Sequence, residues 1–149
     1  MTVIYEKIAI IGVGLIGASI ALAVRRANLA THIIGYDADE SAVDTVRDLV
    51  LVDEAVIDPV AAVADADLVI MAVPVGVMGG LAASIVPAMK PGAVLTDTGS
   101  TKRSVLRDVD PVVTANIHWL PSHPLAGTEH SGPKAGHAHL FDERYWIVL

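Results

Sequence analysis

Three glycines near the N-terminus, Gly12, Gly14 and Gly17, stand in the spacing GxGxxG. They follow an apolar segment predicted to be a β-strand, residues 7–11, and open an Ala-, Leu- and Ile-rich segment predicted to be a helix, residues 15–26. In this order the first glycine permits a tight turn, the second lets a phosphate approach the backbone, and the third lets the helix pack on the strand. The pattern predicts a strand-turn-helix unit that binds an anion at the helix N-terminus.

The rest of the chain continues the alternation of short apolar strands and helices. Further strands are predicted at residues 32–36, 68–72, 94–96, 117–120 and 145–149, with a minor strand around Ala55 and Ile57. Helices are predicted at residues 39–49, shortly after Pro59, and at residues 77–89 and 102–109, with a polar loop over 121–136 and a helical turn near 138–141. This alternation predicts one α/β domain over residues 1–149: a doubly wound, mostly parallel, Rossmann-like sheet.

Two uncharged runs each have a competing interpretation. For residues 8–24 it is a signal peptide, and for residues 68–89 it is a membrane span. Three glycines interrupt the first run, and Glu6 precedes it, which a basic leader would not favour. Pro74, Pro87 and several glycines interrupt the second, which argues against one continuous helix. A buried strand, a turn and a packed helix account better for the second run, because strands of a parallel sheet covered on both faces are continuously apolar.

Asp37 follows the second predicted strand and stands 20 residues after Gly17. An acidic residue at this distance from the glycines binds the ribose hydroxyls of an adenosine, although a helix cap is the alternative. Asp39 and Glu40 add negative charge, so the extra phosphate of NADP would be repelled and NAD is the expected cofactor. The residues expected to bind it are Gly12, Gly14, Leu15, Ile16, Gly17, Asp37, Val73, Pro74 and Thr98.

Composition narrows the partners and the location. The 149 residues carry a formal charge of -7, which disfavours nucleic acid and anionic membranes as partners. The absence of cysteine excludes disulfides and thiolate chemistry, and it predicts a reducing, cytoplasmic location.

Two polar clusters lie at later strand ends. The first, TDTGSTK at residues 96–102, lacks the order of a phosphate loop. Asp97 or Ser100 is a candidate cap of the next helix, and the alternative for Ser100 is that its hydroxyl faces the cofactor cleft. The second, LPSHPLAGTEHSGP at residues 120–133, holds His123 between two prolines. A neutral imidazole there suits a proton acceptor in alcohol oxidation. Five histidines lie in the C-terminal part, but no ligand spacing is recognisable and no metal is predicted.

Together, GVGLIGAS, the VPV turn, DTGSTK and SHPLAGTEHSGP resemble the prephenate and arogenate (cyclohexadienyl) dehydrogenases of tyrosine biosynthesis, over essentially the whole chain. The resemblance implies an oxidoreductase that decarboxylates prephenate or L-arogenate with a nicotinamide cofactor. It implies that His123 hydrogen-bonds the hydroxyl on ring carbon C4 and that Ser100 orients this histidine and the substrate. Glu129 matches an acidic position near the substrate entrance, and Thr128 and Lys102 are expected around the cleft.

The family continues into a helical C-terminal domain that forms a homodimer and completes the substrate site, and this domain is absent from the 149 residues. We therefore expect the isolated chain to bind cofactor with little turnover. Two alternatives remain: a non-catalytic NAD-binding or regulatory module, and another β-hydroxyacid-type dehydrogenase. The second gives no reason for the segment SHPLAGTEHSGP.

Overall fold

The computed structural model describes residues 2–149, and its centre is a six-stranded parallel sheet. The strands are β1 (Tyr5–Ile11), β2 (Ala30–Tyr36), β3 (Glu54–Val56), β4 (Leu68–Met71), β5 (Val94–Asp97) and β6 (His118–Leu120). Their spatial order is β3-β2-β1-β4-β5-β6, and all neighbouring strands are parallel. The order reverses between β1 and β4, so ligands are expected beyond the carboxyl ends of these two strands. The predicted Rossmann-like α/β fold is confirmed.

Helices cover both faces of this sheet. They are α1 (Leu15–Arg26), α2 (Glu40–Asp48), α3 (Pro59–Val63), α4 (Val75–Ile85) and α5 (Lys102–Val109). Along β1, Ile8 and Ile10 pack into the core cluster that includes α1 and α2, whereas Ala9 and Ile11 pack into the cluster that includes α3, α4 and α5. Because side chains alternate along a strand and both faces are covered, β1 is a continuous apolar run.

Helix α4 differs from its predicted bounds of 77–89. It begins at Val75, directly after Pro74 as the N-cap, and ends at Ile85. Pro87 lies in a 3-10 helix, Val86–Ala88, that follows. Proline is well suited to helix starts and has no N–H for a helix interior, so the two prolines set both ends.

The predicted loop at residues 121–136 contains a strand, β7 (Ser122–Pro124), and a 3-10 helix, Pro133–Ala135. Strand β7 pairs antiparallel with β8 (Trp146–Val148), so the final strand lies in a separate two-stranded sheet. His123 is opposite Ile147, a distant partner in sequence, and no local pattern reveals such a pairing.

Within residues 2–149, no helix combines the length and the apolar character needed to cross a membrane. The apolar run at residues 68–89 is instead divided into β4, a turn at Pro74 and α4.

Candidate active site

The three glycines form the turn between β1 and α1. Gly12 has a φ of 97°, which glycine adopts readily, and its N–H donates to the carbonyl oxygen of Tyr36 at 2.8 Å. A methyl group on Gly12 would lie 2.5 Å from the carbonyl oxygen of Ala72, and one on Gly17 would lie 2.0 Å from the carbonyl oxygen of Gly12. These two positions therefore accept no side chain because protein backbone already fills the space.

Gly14 is different, because a methyl group there would meet no protein atom within 4 Å. Gly14 is also the N-cap of α1, and no side chain caps this helix or places an acidic group in its first turn. The first N–H groups of a helix have no partner within it and attract anions. Leu15 and Ile16 belong to this first turn. The geometry fits a diphosphate, since the space open beside Gly14 is space that a Cβ would occupy.

Asp37 lies at the end of β2 and is tied to the glycine turn. Its carboxylate accepts hydrogen bonds from the N–H of Val13 at 3.1 Å and from the N–H of Asp39 at 3.0 Å. Each carboxylate oxygen keeps further acceptor capacity for a ligand hydroxyl. Asp39 caps α2 through Ser41, whose hydroxyl and N–H lower the pKa of the Asp39 carboxyl below its usual range. The edge beside Asp37 therefore stays negatively charged.

A large cleft of about 800 Å³ extends from the glycine turn toward α3 and α4. Asp37 is its one charged lining residue among residues 2–149, and no Lys or Arg lines it. The lining residues are Gly12, Gly14, Tyr36, Asp37, Ala38, Pro59, Ala72, Val73, Pro74, Gly76, Val77, Gly80, Leu81 and Ser84. A mostly apolar cleft with a carboxylate at its edge can hold a purine ring and its ribose.

A smaller cleft of about 310 Å³ lies on the other side of the glycine turn, toward β5. Its lining residues are Gly14, Leu15, Ile16, Ala72, Val73, Pro74, Val75, Thr98, Gly99 and Ser100. Four residues line both clefts, Gly14, Ala72, Val73 and Pro74, so the two form one path across the N-terminus of α1. Every residue predicted to bind cofactor lines this path except Gly17, which is buried beneath it.

His123 lies on β7, is half-buried and lines neither cleft itself. Its Nδ1 is 3.0 Å from the carbonyl oxygen of Thr98, which lines the smaller cleft. A carbonyl oxygen only accepts, so Nδ1 carries the proton and donates it. In the neutral ring Nε2 is then the free acceptor, which is the nitrogen suited to receive a proton from a ligand.

The backbone on both sides of this contact is fixed by Asp97, which is fully buried at the end of β5. Its carboxylate accepts from the N–H of Gly99 at 2.8 Å and from the N–H of Ser122 at 3.0 Å, and it pairs with the ammonium of Lys102. The expectation that Asp97 or Ser100 caps α5 is wrong. Thr101 is the N-cap, without a side-chain hydrogen bond, because the Asp97 carboxylate faces inward.

Two of the predicted substrate residues lie elsewhere. Thr128 and Glu129 are on an exposed loop and line neither cleft, and Glu129 is 3.3 Å from His130. Ser100 is exposed at the smaller cleft, while the hydrogen bond that orients His123 goes to the backbone of Thr98. In the described part of the chain, no three His, Asp or Glu side chains are grouped as a metal site would need.

The residues of α3 and α4 that line the larger cleft are not predicted from the sequence. Gly76 and Gly80 open the face of α4 toward the cleft, since a methyl group on either would meet no protein atom within 4 Å. Their spacing of four, which puts both on one helix face, is the signal that identifies them.

Residues 133–142, the segment that follows the His123 loop, pack against α1. The N–H of His137 donates to the buried hydroxyl of Ser19 at 3.1 Å. Asp142 accepts from Arg26 at 2.8 Å and lies 2.7 Å from Nδ1 of His139. The guanidinium of Arg26, and after it the imidazole of His139, lower the pKa of Asp142 to about 2. The contact therefore joins this segment to the last turn of α1.

Comparison with known proteins gives one consistent result. The sequence model of the family described as "Prephenate dehydrogenase, nucleotide-binding domain" matches residues 20–149. A cyclohexadienyl dehydrogenase of Zymomonas mobilis subsp. mobilis is 44% identical over 145 residues, which cover 97% of this chain and 49% of that protein.

Solved structures agree with the sequence match. The prephenate dehydrogenase of A. aeolicus, crystallised with hydroxyphenyl propionate and NAD+, superposes with a TM-score of 0.87 at 27% identity, covering 96% of this chain and 50% of that one. Synechocystis arogenate dehydrogenase gives a TM-score of 0.86 at 26% identity, covering 96% and 49%. This chain spans about half the length of each of these relatives.

Proposed function

This chain belongs to the nucleotide-binding-domain family of prephenate dehydrogenases, and we propose that it holds NAD for the oxidative decarboxylation of prephenate or L-arogenate. The observation that carries this proposal is the placement of His123. Its imidazole contacts the carbonyl oxygen of Thr98, and Thr98 lines the smaller cleft together with the open backbone at Gly14. A site that only bound a nucleotide would not need an oriented imidazole there.

The nucleotide would lie across the N-terminus of α1. We assign the diphosphate to the backbone of Gly14, Leu15 and Ile16, the adenosine to the larger cleft, and the nicotinamide to the smaller one. Val73 and Pro74 would form the wall that both halves share. Such a cofactor supplies an acceptor for the hydride that leaves carbon C4 of the substrate.

The chain's own contribution to the chemistry is a positioned base. Nε2 of His123 would accept the proton of the C4 hydroxyl as the hydride leaves, which forms a ketone at C4. Loss of the ring carboxylate as carbon dioxide then makes the ring aromatic, and His123 returns the proton to the phenolic oxygen. Ser100, exposed at the same cleft, would hydrogen-bond the substrate hydroxyl. Glu129 and Thr128 would act at the substrate entrance, on the loop that follows His123.

Charge supports NAD as the cofactor. The carboxylate of Asp37 would accept hydrogen bonds from both ribose hydroxyls, whereas the extra phosphate of NADP would face that carboxylate. No residue lining the larger cleft within residues 2–149 offers a positive charge to such a phosphate.

We propose further that a helical domain completes the substrate pocket and forms a homodimer, since the relatives are about twice as long as this chain. Exposed apolar residues on and beside β8, with Tyr145 at 80% and Leu149 at 62%, give such a domain a surface to cover. The absence of cysteine favours the reducing cytoplasm as its location.

Replacing His123 tests the function. We expect this chain joined to the remainder of the Zymomonas mobilis relative to form NADH with prephenate or arogenate. His123→Asn should lower kcat by roughly 100- to 10,000-fold, the contribution of a positioned general base, with NAD affinity unchanged. His118→Asn, a change of an exposed histidine on β6, is the matched control and should leave kcat unchanged.

Near-normal turnover by His123→Asn with intact NAD binding would refute the role of His123 as the base. Binding of NAD without turnover in the joined wild-type protein would favour a non-catalytic module.

A further inference from the structure

The carboxylate of Asp97 is fully buried, yet nothing in the proposed chemistry uses it directly. It pairs with Lys102, whose side chain is 18% exposed. Burying an ion pair is costly, and apolar side chains of similar volume often stabilise a protein more. The packing of β5 therefore does not require a charged side chain at residue 97. The role of Asp97 follows instead from the hydrogen bonds that its carboxylate accepts.

The two carboxylate oxygens bind two different segments. Oδ2 accepts from the N–H of Gly99, the residue after Thr98, and Oδ1 accepts from the N–H of Ser122, the residue before His123. The hydroxyl of Ser122 also donates to the carbonyl oxygen of Asp97 at 2.7 Å. One side chain therefore fixes the backbone next to both partners of the hydrogen bond from His123 to Thr98.

The other contacts of Ser122 reinforce the same arrangement. Its hydroxyl accepts from Nε1 of Trp146 on β8 at 2.9 Å and lies 2.9 Å from the hydroxyl of Thr96. A small rotation of β7 would break these bonds together, and the carbonyl of Thr98 would no longer meet the imidazole.

We propose that Asp97, with Lys102 as its counterion, is a positioning residue that keeps the proton of neutral His123 on Nδ1 and leaves Nε2 free as the acceptor. The catalytic consequence rests on the proposed function. The position of the proton does not, because it is a property of this chain alone.

The tautomer is measured in this chain by long-range ¹H–¹⁵N correlation spectra of the imidazole rings, at a pH where they are neutral. His123→Gln assigns the ring signals among the six histidines. The wild-type ring should carry its proton on Nδ1. A wild-type ring protonated on Nε2 would overturn the proposal without any further variant.

Asp97→Asn is the decisive variant. The amide oxygen can replace only one of the two carboxylate oxygens. The NH₂ group would then face either the N–H of Ser122 at the Oδ1 position, or both the N–H of Gly99 and the ammonium of Lys102 at the Oδ2 position. We expect the Nδ1-protonated fraction of His123 to fall measurably while NAD binding is retained. Asp110→Asn is the matched control: Asp110 accepts from Nε1 of Trp119 at 2.8 Å, away from His123, and its loss should leave the tautomer unchanged. A folded Asp97→Asn chain with the wild-type tautomer would contradict the proposal.

If Asp97→Asn fails to fold, Lys102→Gln replaces it. This variant removes the counterion and keeps every backbone partner of Asp97, so it leaves a buried charge without compensation and favours rearrangement of the backbone that the carboxylate binds. We expect a smaller fall in the Nδ1-protonated fraction than in Asp97→Asn, and an unchanged tautomer in the folded variant would overturn the proposal.

In the joined enzyme, Asp97→Asn should lower kcat by about tenfold or more, with KM for NAD unchanged. If the joined wild-type enzyme turns over neither prephenate nor arogenate, the proposed function is wrong. The tautomer measurement, made on this chain alone, still tests the role of Asp97.

Discussion

At the residue scale, Gly14 and Gly17 serve different purposes although both belong to one motif. Gly17 has no room for a side chain because the backbone of Gly12 lies against it, so it serves the fold. Gly14 has open space around its Cα, which the packing of the protein does not require. The motif therefore separates into residues that form the turn and a residue that leaves room for a ligand.

Single alanine substitutions distinguish these two roles. Gly14→Ala should change the free energy of unfolding by less than about 0.5 kcal/mol, as a substitution in open space does, and should weaken NAD binding at least tenfold because the methyl group occupies the diphosphate position. Gly17→Ala should lower the free energy of unfolding by about 1–3 kcal/mol or more, the typical cost of overpacking. Urea unfolding and calorimetric titration measure both effects. Wild-type NAD affinity in Gly14→Ala would contradict this assignment.

Candidate site residues can be proposed from the sequence where the side chain itself would carry the chemistry. The glycines, Asp37, Ser100 and His123 are visible in the sequence as motifs. The partner of His123 is a backbone carbonyl, which every residue has, so Thr98 could not be recognised in that role. The sequence indicates Asp97 only as a candidate helix cap, and its burial depends on β7, which only the fold reveals.

At the scale of elements, α4 contains adjacent glycines with opposite surroundings. A methyl group on Gly79 would lie 2.8 Å from Cβ of Asp108 on α5, whereas one on Gly80 would face the larger cleft. Gly79 therefore permits the close packing of α4 on α5, and Gly80 contributes space to the cleft.

Alanine at these two positions should change stability in opposite directions. Gly80→Ala should raise the free energy of unfolding by about 0.5–1 kcal/mol, since alanine is the better helix former and meets no neighbour. Gly79→Ala has the same propensity gain but should lower the free energy of unfolding, because the overpacking cost of about 1–3 kcal/mol exceeds it. Urea denaturation of the two variants decides the matter, and a shift of the same sign in both would show that the packing argument is wrong.

The contact between residues 133–142 and α1 should weaken in acid. Arg26 and His139 hold the pKa of Asp142 at about 2 in the folded chain, below the value of about 3.9 for an unfolded aspartate. The contact therefore stabilises the fold above pH ~4, and its contribution is lost as the pH falls toward 2. The difference in unfolding free energy between wild type and Asp142→Asn should shrink over that window. Urea titrations at successive pH values measure it, and a difference independent of pH would exclude this linkage.

Elements were predictable where hydrophobic periodicity is local. The strands and helices around the glycine motif follow from it, and α4 was displaced by two residues at its start because Pro74 begins the helix sooner than the pattern suggested. Strand β7 was missed because its partner, β8, lies more than 20 residues later. The pairing depends on tertiary contacts that a reading of neighbouring residues does not contain.

At the scale of the whole molecule, the parallel sheet brings the ends of β1, β2, β4 and β5 to one edge, where the two clefts meet. The alternation of strands and helices predicts this edge. The shape of the larger cleft depends on the packing of α3 and α4, which cannot be predicted from the sequence pattern. From the negative edge at Asp37 and the open backbone at Gly14 we propose that NAD is preferred to NADP, with the nicotinamide in the smaller cleft.

Calorimetric titration of this chain with NAD+ and with NADP+ tests that central claim most directly. We expect saturable binding of NAD+, with NADP+ at least tenfold weaker, and a reduced difference between the two in Asp37→Asn, since a hydrogen bond to a charged group contributes about 1.5–3 kcal/mol. Binding of NADP+ that is as tight as NAD+ or tighter, or no saturable binding of either, would contradict the account.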